Sequence, residues 1–270
     1  MMTAGANTAA LPECIDVEWL VMGPLYVDQE GITALQTNRE ANTALNLPTI
    51  PRDWRVRDGK VAIVGYGPSL RDTWQHLRGF DVIWTCSKAY SFLLERGIVP
   101  AYHTDVDFRA YKVAYNPVFD PRTRFVMGSG VHPSYFERLK DRQVAMFHVI
   151  LPSGGGLYGT KHHHSPVQFD AGLQTARVAY DMGYRDQHWF GIDAGFKAGE
   201  RFAGPHDGLK PDSATVYIGG EPWETSGLHI REAMCAEKML RGLPKLKAAI
   251  YGEGLLVHFL MARGAKGAPV

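Results

Sequence analysis

The sequence predicts an α/β protein with a Rossmann-like, doubly wound and mostly parallel sheet that carries helices on both faces. Short apolar runs alternate along the chain with segments of helical spacing, as successive βαβ units require. The chain has 270 residues, of which 45% are hydrophobic and 21% are charged. This composition is that of an ordinary globular protein, and the length suits one large α/β domain or two small ones.

The predicted elements follow one another in a regular order. VAIVG is typical of a strand buried on both faces, and LRDTWQHLRG has helical spacing. The alternation continues through the strand DVIWTCS, the helix KAYSFLLERG, the strands AYHTDVD and RFVMGSG, the helix HPSYFERLKD and the strand AMFHVI. After the break SGGGLYGTKHHHSP come the helix FDAGLQTARVAYDMGY, the strand DQHWFGID, a polar loop, the helix HIREAMCAEKMLRG and the extended segment LKAAIYG.

Changes in composition set the predicted domain limits. Residues 1–60 are polar and are interpreted as an N-terminal appendage with one helix from about Asp28 to Leu45. Residues 61–262 form the predicted Rossmann-like catalytic domain, and residues 263–270 form a predicted flexible tail.

Charge and cysteine content narrow the possible partners and compartment. The formal net charge is +1 without a long basic run, which argues against a nucleic-acid partner held by phosphate contacts. Cys14, Cys86 and Cys235 are widely scattered, which favours free thiols in a reducing compartment. The first residues lack a signal-peptide pattern, and no apolar run approaches the roughly 20 residues of a membrane span. These features predict a cytoplasmic protein without a membrane partner.

A glycine turn directly follows the first predicted strand. Its residues are Gly65, Tyr66, Gly67, Pro68, Ser69 and Leu70. The glycines permit a tight turn and close approach to a ligand, and proline suits the first turn of a helix. The free amide groups of that first turn favour a phosphate. We therefore predict a nucleotide-phosphate site here, with Ser87 at the end of the second strand as a further contact; a tight turn that binds nothing is the alternative.

The same turn lacks the features of two well-known nucleotide sites. A dinucleotide fingerprint requires a third glycine, where Leu70 stands, and an acidic residue about 20 positions further on, where the sequence reads TCS. The turn also lacks the Lys-Ser/Thr ending of a P-loop. A nicotinamide cofactor is therefore disfavoured.

An acidic pair ends the third predicted strand. Asp105 and Asp107 are two residues apart, so their side chains are expected on the same side of a strand. A divalent cation, Mg²⁺ above all, bridging the two carboxylates to a diphosphate explains such a pair. A pair of solvated loop carboxylates is the alternative.

Further candidates follow later in the chain. Asp193 ends the strand HWFGID, and His206 lies in the following loop, where its ordinary pKa suits a general acid or base. The His162–His164 run is interpreted as a mobile loop near the site, since no partner pattern for zinc is visible.

Other side chains are weaker candidates. Ser129 and His132 are candidates for the cleft wall. Tyr66, Trp84 and Tyr90 suit either base stacking or the core.

Three blocks of the sequence together resemble one known family. VAIVGYGPSL, LLERGIVPAYHTDVD and AGLQTARVAYDMGYRDQHWFGID are similar to the signature blocks of the MptE-like group, which includes 6-hydroxymethylpterin diphosphokinases and Maf-type flagellin glycosyltransferases. The GPSL and GID motifs also resemble those of a bacterial sialyltransferase family. The segment FVMGSGVHPSYFERL is more similar to the Maf-like branch.

The resemblance implies roles for individual residues. Asp105 and Asp107 would hold the metal or diphosphate, and Asp193 and His206 would lie beside the acceptor. The same resemblance implies a nucleotide-phosphate turn formed by Gly65, Gly67, Pro68, Ser69 and Leu70.

The leading hypothesis is a metal-assisted transferase that uses a nucleotide-activated sugar, with His206 or Asp193 taking the acceptor proton. A diphosphokinase that passes diphosphate from ATP to a hydroxymethyl group needs the same turn and metal. Ala101 and Phe108, which replace residues common in the family, leave a non-catalytic nucleotide-binding module open. An S-adenosylmethionine-dependent enzyme is the remaining alternative.

Overall fold

The computed structural model describes residues 29–50, 55–150, 163–166, 168, 170–204, 213–264 and 267–269. The strands are β1 (Arg57–Val64), β2 (Val82–Cys86), β3 (Tyr102–Thr104), β4 (Arg124–Gly128), β5 (Gln143–Ile150), β6 (His164–Pro166), β7 (Tyr184–Phe190), β8 (Ala214–Ile218), β9 (Glu221–Thr225), β10 (Lys247–Tyr251) and β11 (Gly267–Pro269). The α-helices are α1 (Gln29–Thr43), α2 (Leu70–Thr73), α3 (Ala89–Leu94), α4 (Ser134–Arg138), α5 (Ala171–Asp181), α6 (Gly227–Gly242) and α7 (Leu255–Ala262), with 3-10 helices at Trp74–Gly79 and Ala110–Tyr115.

A nine-stranded parallel sheet organises the domain. Its strand order is β11-β10-β7-β1-β2-β3-β4-β5-β6, and β8 pairs with β9 in a separate antiparallel hairpin. The chain moves outward from β1 in one direction through β6, and then returns to place β7 on the other side of β1. This reversal confirms the predicted doubly wound α/β fold. In such sheets ligands bind beyond the carboxyl ends of the strands at the point of reversal, which here is the β1–β7 pair.

Strand β1 is buried on both faces, which explains its uninterrupted apolar sequence. Val61 and Ile63 pack in the core that contains helices α5, α6 and α7. Ala62 and Val64 point the other way, into a second core with Leu70 and other residues of the segments that follow β1 and β2. The alternation of side chains along a strand thus places helices on both faces of the sheet.

Helix α1 belongs to this domain, although residues 29–50 were predicted to lie within an appendage. Its Asn38 side chain donates to the carbonyl oxygens of Phe108 and Gly130. Asn42 donates to the carbonyl oxygens of Ser129 and Val131. The polar residues that made this segment look like an appendage therefore satisfy backbone acceptors of the neighbouring loops.

Two C-terminal elements differ from the predictions. Residues 267–269, predicted as part of a flexible tail, form β11 and pair in parallel with β10. The predicted polar loop after β7 contains the β8–β9 hairpin, which turns at Gly219 and Gly220 with φ angles of +63° and +90°. Two consecutive glycines between segments of alternating apolar and polar residues are typical of a β-hairpin, and the sequence VYIGGEPW has this pattern.

His163 and His164 lie at the far edge of the sheet and not near the β1–β7 pair. His162 lies outside the described residues. His163 is buried, and its Nε2 is 3.1 Å from the Asp181 carboxylate. His164 begins β6, the fifth strand from β1. The interpretation of these residues as a mobile loop near the site is wrong for His163 and His164. Among the described helices, none combines the length and apolar character needed to span a membrane.

The stability of the fold is expected to decrease at acidic pH because of His103 in β3. Its ring is fully buried beside the Thr85 hydroxyl, and burial lowers its pKa to about 3. Because the folded-state pKa lies below the ordinary value of about 6.5, the neutral histidine contributes stability above pH ~6.5 that is lost as the pH falls toward 3. His103→Leu is expected to reduce the slope of unfolding free energy against pH in this window by up to about 1.4 kcal/mol per pH unit.

The measurement is urea unfolding between pH 7 and pH 4, which spans most of this window. Thr85→Val is the matched control, because it removes the hydroxyl partner and leaves the titrating ring in place. An unchanged acid slope in His103→Leu would contradict the prediction.

Candidate active site

The glycine turn lies at the carboxyl end of β1, where it contacts the segment that follows β7. The Gly65 amide donates to the Phe190 carbonyl oxygen and the Gly67 amide to the Gly191 carbonyl oxygen, both at 2.8 Å. A Cβ atom on Gly65 would lie 2.5 Å from the Gly191 oxygen. The glycines are therefore needed for the two segments to approach each other, a role that the ligand-binding interpretation did not include.

Asp193 connects this turn to the rest of the site. Its carboxylate accepts a 2.9 Å hydrogen bond from the Ser69 amide, and its carbonyl oxygen accepts from the Leu256 amide at 2.9 Å. A Cβ atom on Gly254 would lie 2.6 Å from the carboxylate. Burial raises the pKa of Asp193, while the adjacent Ser69 acts in the opposite direction. The Ser69 amide, one of the groups predicted to bind a phosphate, is thus already hydrogen-bonded to a carboxylate of the protein.

The remaining residues predicted for the nucleotide lie close to this turn but differ in accessibility. Leu70 is fully buried and belongs to the core. Pro68 lines a cleft beside Asp193. Ser87 is half-buried, has a φ of +48° and donates its amide to the Thr104 carbonyl oxygen at 3.3 Å. Contact of any of these residues with a nucleotide stays a prediction.

The two acidic residues after β3 have different environments. Asp105 is buried, and its carboxylate accepts from the amides of Val106 and Asp107 and from the Tyr135 hydroxyl at 2.8 Å. Burial raises its pKa. Asp107 forms a two-point ion pair with Arg109, at 2.8 and 2.5 Å.

A second cation also neutralises Asp107. The Lys112 ammonium lies 3.3 Å from its carboxylate. Burial acts to raise the pKa of Asp107, but the Arg109 and Lys112 cations lower it overall.

This arrangement does not fit a divalent cation held by both carboxylates. The Arg109 and Lys112 cations already neutralise Asp107, and a metal ion would have to displace them. Within the described ranges, no group of three or more His, Cys, Asp or Glu side chains is placed to hold a metal ion. The magnesium site stays a prediction, and no chemical step below depends on it.

The weaker candidates make contacts within the protein. Trp84 and Tyr90 are fully buried, so they belong to the core. Ser129 is buried with its hydroxyl 2.9 Å from the His148 ring. The His132 ring is 2.7 Å from the Ser134 hydroxyl at the start of α4. His206 lies outside the described residues.

A further group of charged residues, which we call the arginine cluster, consists of Asp170, Arg201, His229 and Glu232. The Arg201 Nε donates to His229 Nε2 at 3.2 Å. The Asp170 carboxylate accepts from the Leu173 amide at 2.6 Å and so caps α5. The cluster therefore joins the amino ends of α5 and α6 to the loop after β7.

The electrostatics of the arginine cluster are unusual. Burial raises the pKa of Glu232 well above its ordinary value, and the nearby Asp170 charge acts in the same direction. Burial also raises the pKa of Asp170. Burial lowers the pKa of Arg201, and among the neighbouring charges Arg109 acts in the same direction.

Strongly perturbed groups at the carboxyl edge of a sheet are typical of functional sites. Arg201 follows β7 and contacts the amino end of α6 through His229, so its guanidinium is a candidate to bind an anion at this edge.

Sequence reasoning missed the arginine cluster because its members are far apart in the chain. Arg201 follows a predicted strand by several residues, and nothing in its neighbourhood marks it as functional. Asp170 was detectable as a helix-capping residue, since it immediately precedes the helix AGLQTARVAY. His229 and Glu232 share one face of α6 at a spacing of three residues, but a partner for that face is not visible in the sequence.

Comparison with known proteins identifies the family of the chain. A family model described as "6-hydroxymethylpterin diphosphokinase MptE-like" matches residues 33–199. The chain belongs to the MptE-like family. This match confirms the resemblance of the sequence blocks, and it also includes most of α1. No curated protein of known function matches the chain significantly.

Two solved structures are similar to this MptE-like chain. The Maf glycosyltransferase from Magnetospirillum magneticum AMB-1 has a TM-score of 0.68 and 16% identity, and the match covers 88% of this chain and 38% of that protein. A mammalian sialyltransferase in complex with Gal-beta-1-3GalNAc-ortho-nitrophenol has a TM-score of 0.44 and 10% identity, covering 84% and 88% of the two chains. The Maf likeness supports the fold, and the chain spans about two fifths of the Maf protein's length.

Proposed function

We propose that this protein transfers a glycosyl group from a nucleotide-activated sugar to a hydroxyl acceptor. The observation that carries the proposal is the presence of two differently charged regions at the β1–β7 edge. Arg201 lies in the segment after β7 beside α6, and a cleft with acidic residues, Asp193 among them, lies beside the glycine turn. A transferase of this kind needs a cationic site for the departing phosphate and a carboxylate for the acceptor proton.

The donor phosphates are assigned to the arginine side. Guanidinium groups bind phosphate oxygens with two parallel hydrogen bonds, and partial burial strengthens the interaction. Burial lowers the Arg201 pKa, but the ordinary pKa of arginine is so high that the group stays cationic at neutral pH. Its charge stabilises the negative charge that develops on the departing nucleoside phosphate.

The acceptor proton is assigned to Asp193, with His206 as the second candidate from the sequence. The acceptor oxygen forms a bond to the anomeric carbon of the sugar while its proton passes to the carboxylate. The bond between the anomeric carbon and the phosphate oxygen breaks, and its electron pair leaves with the phosphate. A carboxyl whose pKa is raised by burial is a stronger base than an exposed carboxylate.

Diphosphate transfer from ATP is the second candidate, and the description of the matching family model favours it. It would use the same cationic side for a different leaving group. Product analysis separates the two reactions, because diphosphate transfer converts ATP into AMP.

The test is incubation of the protein with UDP-, GDP- and CMP-sugars and with ATP, with hydroxyl-bearing acceptors present, followed by chromatography of the nucleotides. Release of a nucleoside phosphate from one sugar nucleotide class supports glycosyl transfer. Formation of AMP from ATP and a hydroxymethyl acceptor supports diphosphate transfer and contradicts our proposal. Parallel reactions with EDTA and with Mg²⁺ test the predicted metal dependence.

Arg201→Gln is expected to weaken nucleotide binding by about 10- to 100-fold, the loss associated with one hydrogen-bonded charge. The fold is expected to survive, since the glutamine amide can still donate to His229 Nε2 and burial raises the pKa of both neighbouring carboxyls, Asp170 and Glu232. Isothermal titration calorimetry measures the change. Arg124→Gln, at an exposed arginine that bonds to Gln143, is the control. Equal affinities in the wild type and Arg201→Gln would contradict the assignment.

A further inference from the structure

A cleft of about 290 Å³ lies beside Asp193 on the β10 side of the glycine turn. We call it the Trp223 cleft. Its lining residues are Pro68, Ser69, Asp193, Gly195, Phe196, Lys197, Ala198, Pro222, Trp223, Glu224, Glu253 and Gly254. The walls therefore come from the glycine turn, the segment after β7, the β8–β9 hairpin and the segment between β10 and α7.

The charge of the Trp223 cleft differs from that of the arginine side. Asp193, Glu224 and Glu253 are the acidic residues that line it, and Lys197 is the basic one. The Lys197 ammonium already forms a 2.8 Å ion pair with Asp72. A phosphate or carboxylate ligand would therefore meet acidic groups without a free cation among the lining residues, and a neutral ligand is favoured.

The hydrogen-bonding groups of this cleft suit a ligand rich in hydroxyl groups. The Trp223 indole N–H is buried and has no hydrogen-bond partner among the described residues. A buried donor without a partner costs free energy, and a ligand oxygen would satisfy it. The Asp193 carboxylate can accept a hydrogen bond from a hydroxyl group. The Trp223 indole packs on the His258 ring, with centroids 4.3 Å apart, and the part of this half-buried ring that stays exposed suits the C–H face of a sugar ring.

The position of the cleft connects it to the donor side. The Phe196 ring packs edge-on against the His229 ring with centroids 5.1 Å apart, and His229 accepts from Arg201. A single aromatic contact thus links the wall of the cleft to the arginine cluster. A hydroxyl group held beside Asp193 lies at the boundary between the two regions.

From these observations we infer that the Trp223 cleft is the acceptor subsite and that it binds a neutral, hydroxyl-rich sugar ring. This inference rests on the proposed glycosyl transfer. One acceptor hydroxyl loses its proton to Asp193 as its oxygen bonds to the anomeric carbon of the donor. The Trp223 N–H holds a second ligand oxygen and so orients the ring.

The test measures sugar binding without any nucleotide. A panel of neutral methyl glycosides, with a methyl glucuronide as the anionic counterpart, is titrated against the full-length protein by saturation-transfer NMR and calorimetry. At least one neutral glycoside is expected to bind more tightly than the glucuronide. Absence of binding by every neutral glycoside, or a preference for the glucuronide, would overturn the inference.

Variants at Trp223 locate the bound sugar. Trp223→Ala is expected to weaken glycoside binding by about 10-fold or more, and Trp223→Phe, which keeps a ring without the N–H, by about 5-fold. Tyr217→Ala removes an exposed aromatic from the same hairpin outside the cleft, and it is expected to bind as the wild type does. Thermal unfolding checks that each variant is folded. Unchanged affinity in both Trp223 variants would overturn the inference.

Different results would contradict the proposed glycosyl transfer and the proposed acceptor subsite. If the wild type releases nucleoside phosphate from a sugar nucleotide but binds no neutral glycoside, glycosyl transfer stands and the acceptor assignment is wrong. If neutral glycosides bind at Trp223 but no sugar nucleotide is consumed, the cleft is a sugar site and the proposed function is wrong.

Discussion

Replacing Gly67 with alanine is expected to lower the free energy of unfolding by about 3 kcal/mol, at the upper end of overpacking effects. The added Cβ would overlap the Asp193 carboxylate and lie 2.7 Å from the Gly191 carbonyl oxygen. Neither group moves easily, since the first is fixed by the Ser69 amide and the second belongs to the backbone. Urea unfolding at neutral pH measures the loss.

Gly79→Ala is the matched control for this substitution. A Cβ at Gly79 meets nothing within 4 Å, so its effect is expected to stay within about 0.5 kcal/mol. If Gly67→Ala is as stable as this control, the contact between the β1 and β7 segments is not as close as described. Close packing would then not be the reason that glycine occupies position 67.

Asp193→Asn is expected to reduce the rate of transfer by about 10²- to 10⁴-fold, the usual loss of a general base. The amide keeps an oxygen that accepts from the Ser69 amide, so the turn is expected to keep its conformation. The pH–rate profile carries a second signature. Because burial raises the pKa of Asp193, wild-type activity is expected to fall on the acid side as the carboxylate is protonated. The residual activity of Asp193→Asn is expected to lack this decrease at acidic pH.

Initial rates between pH 4 and pH 8 test this prediction over the usual range of a shifted carboxyl pKa. Asp141→Asn, at an exposed acidic residue remote from the β1–β7 edge, is the control and is expected to behave as the wild type. An Asp193→Asn protein with the wild-type rate and the same acid limb would exclude Asp193 as the base. His206, the second candidate, would then be the residue to replace.

The fold was predictable because its signals are local and repeated. VAIVG is apolar at every position because β1 is buried on both faces. The strands and helices that follow it are distinguished by the spacing of their apolar residues. The appendage was misjudged because Asn38 and Asn42 are polar in sequence but are buried against backbone carbonyl oxygens. Such pairings involve residues about 70 to 90 positions away, which no local pattern reveals.

The site was predictable only in part, for the same physical reason. The positions of Gly67, Ser69 and Asp193 after buried strands were predictable from the sequence, and their roles in binding or catalysis stay predictions. Their mutual contact was not expected, because it depends on the strand order and not on either motif. Arg201, Glu232 and Trp223 come from late loops, a helix and a hairpin, and only the fold brings them to the same edge.

The most direct test of the account is a crystal structure with the nucleotide that most raises the midpoint of thermal unfolding. The phosphates are expected to bind beside Arg201 at the β1–β7 edge, and the Trp223 cleft is expected to stay free of the nucleotide. Phosphates bound inside the Trp223 cleft, or away from this edge of the sheet, would contradict it.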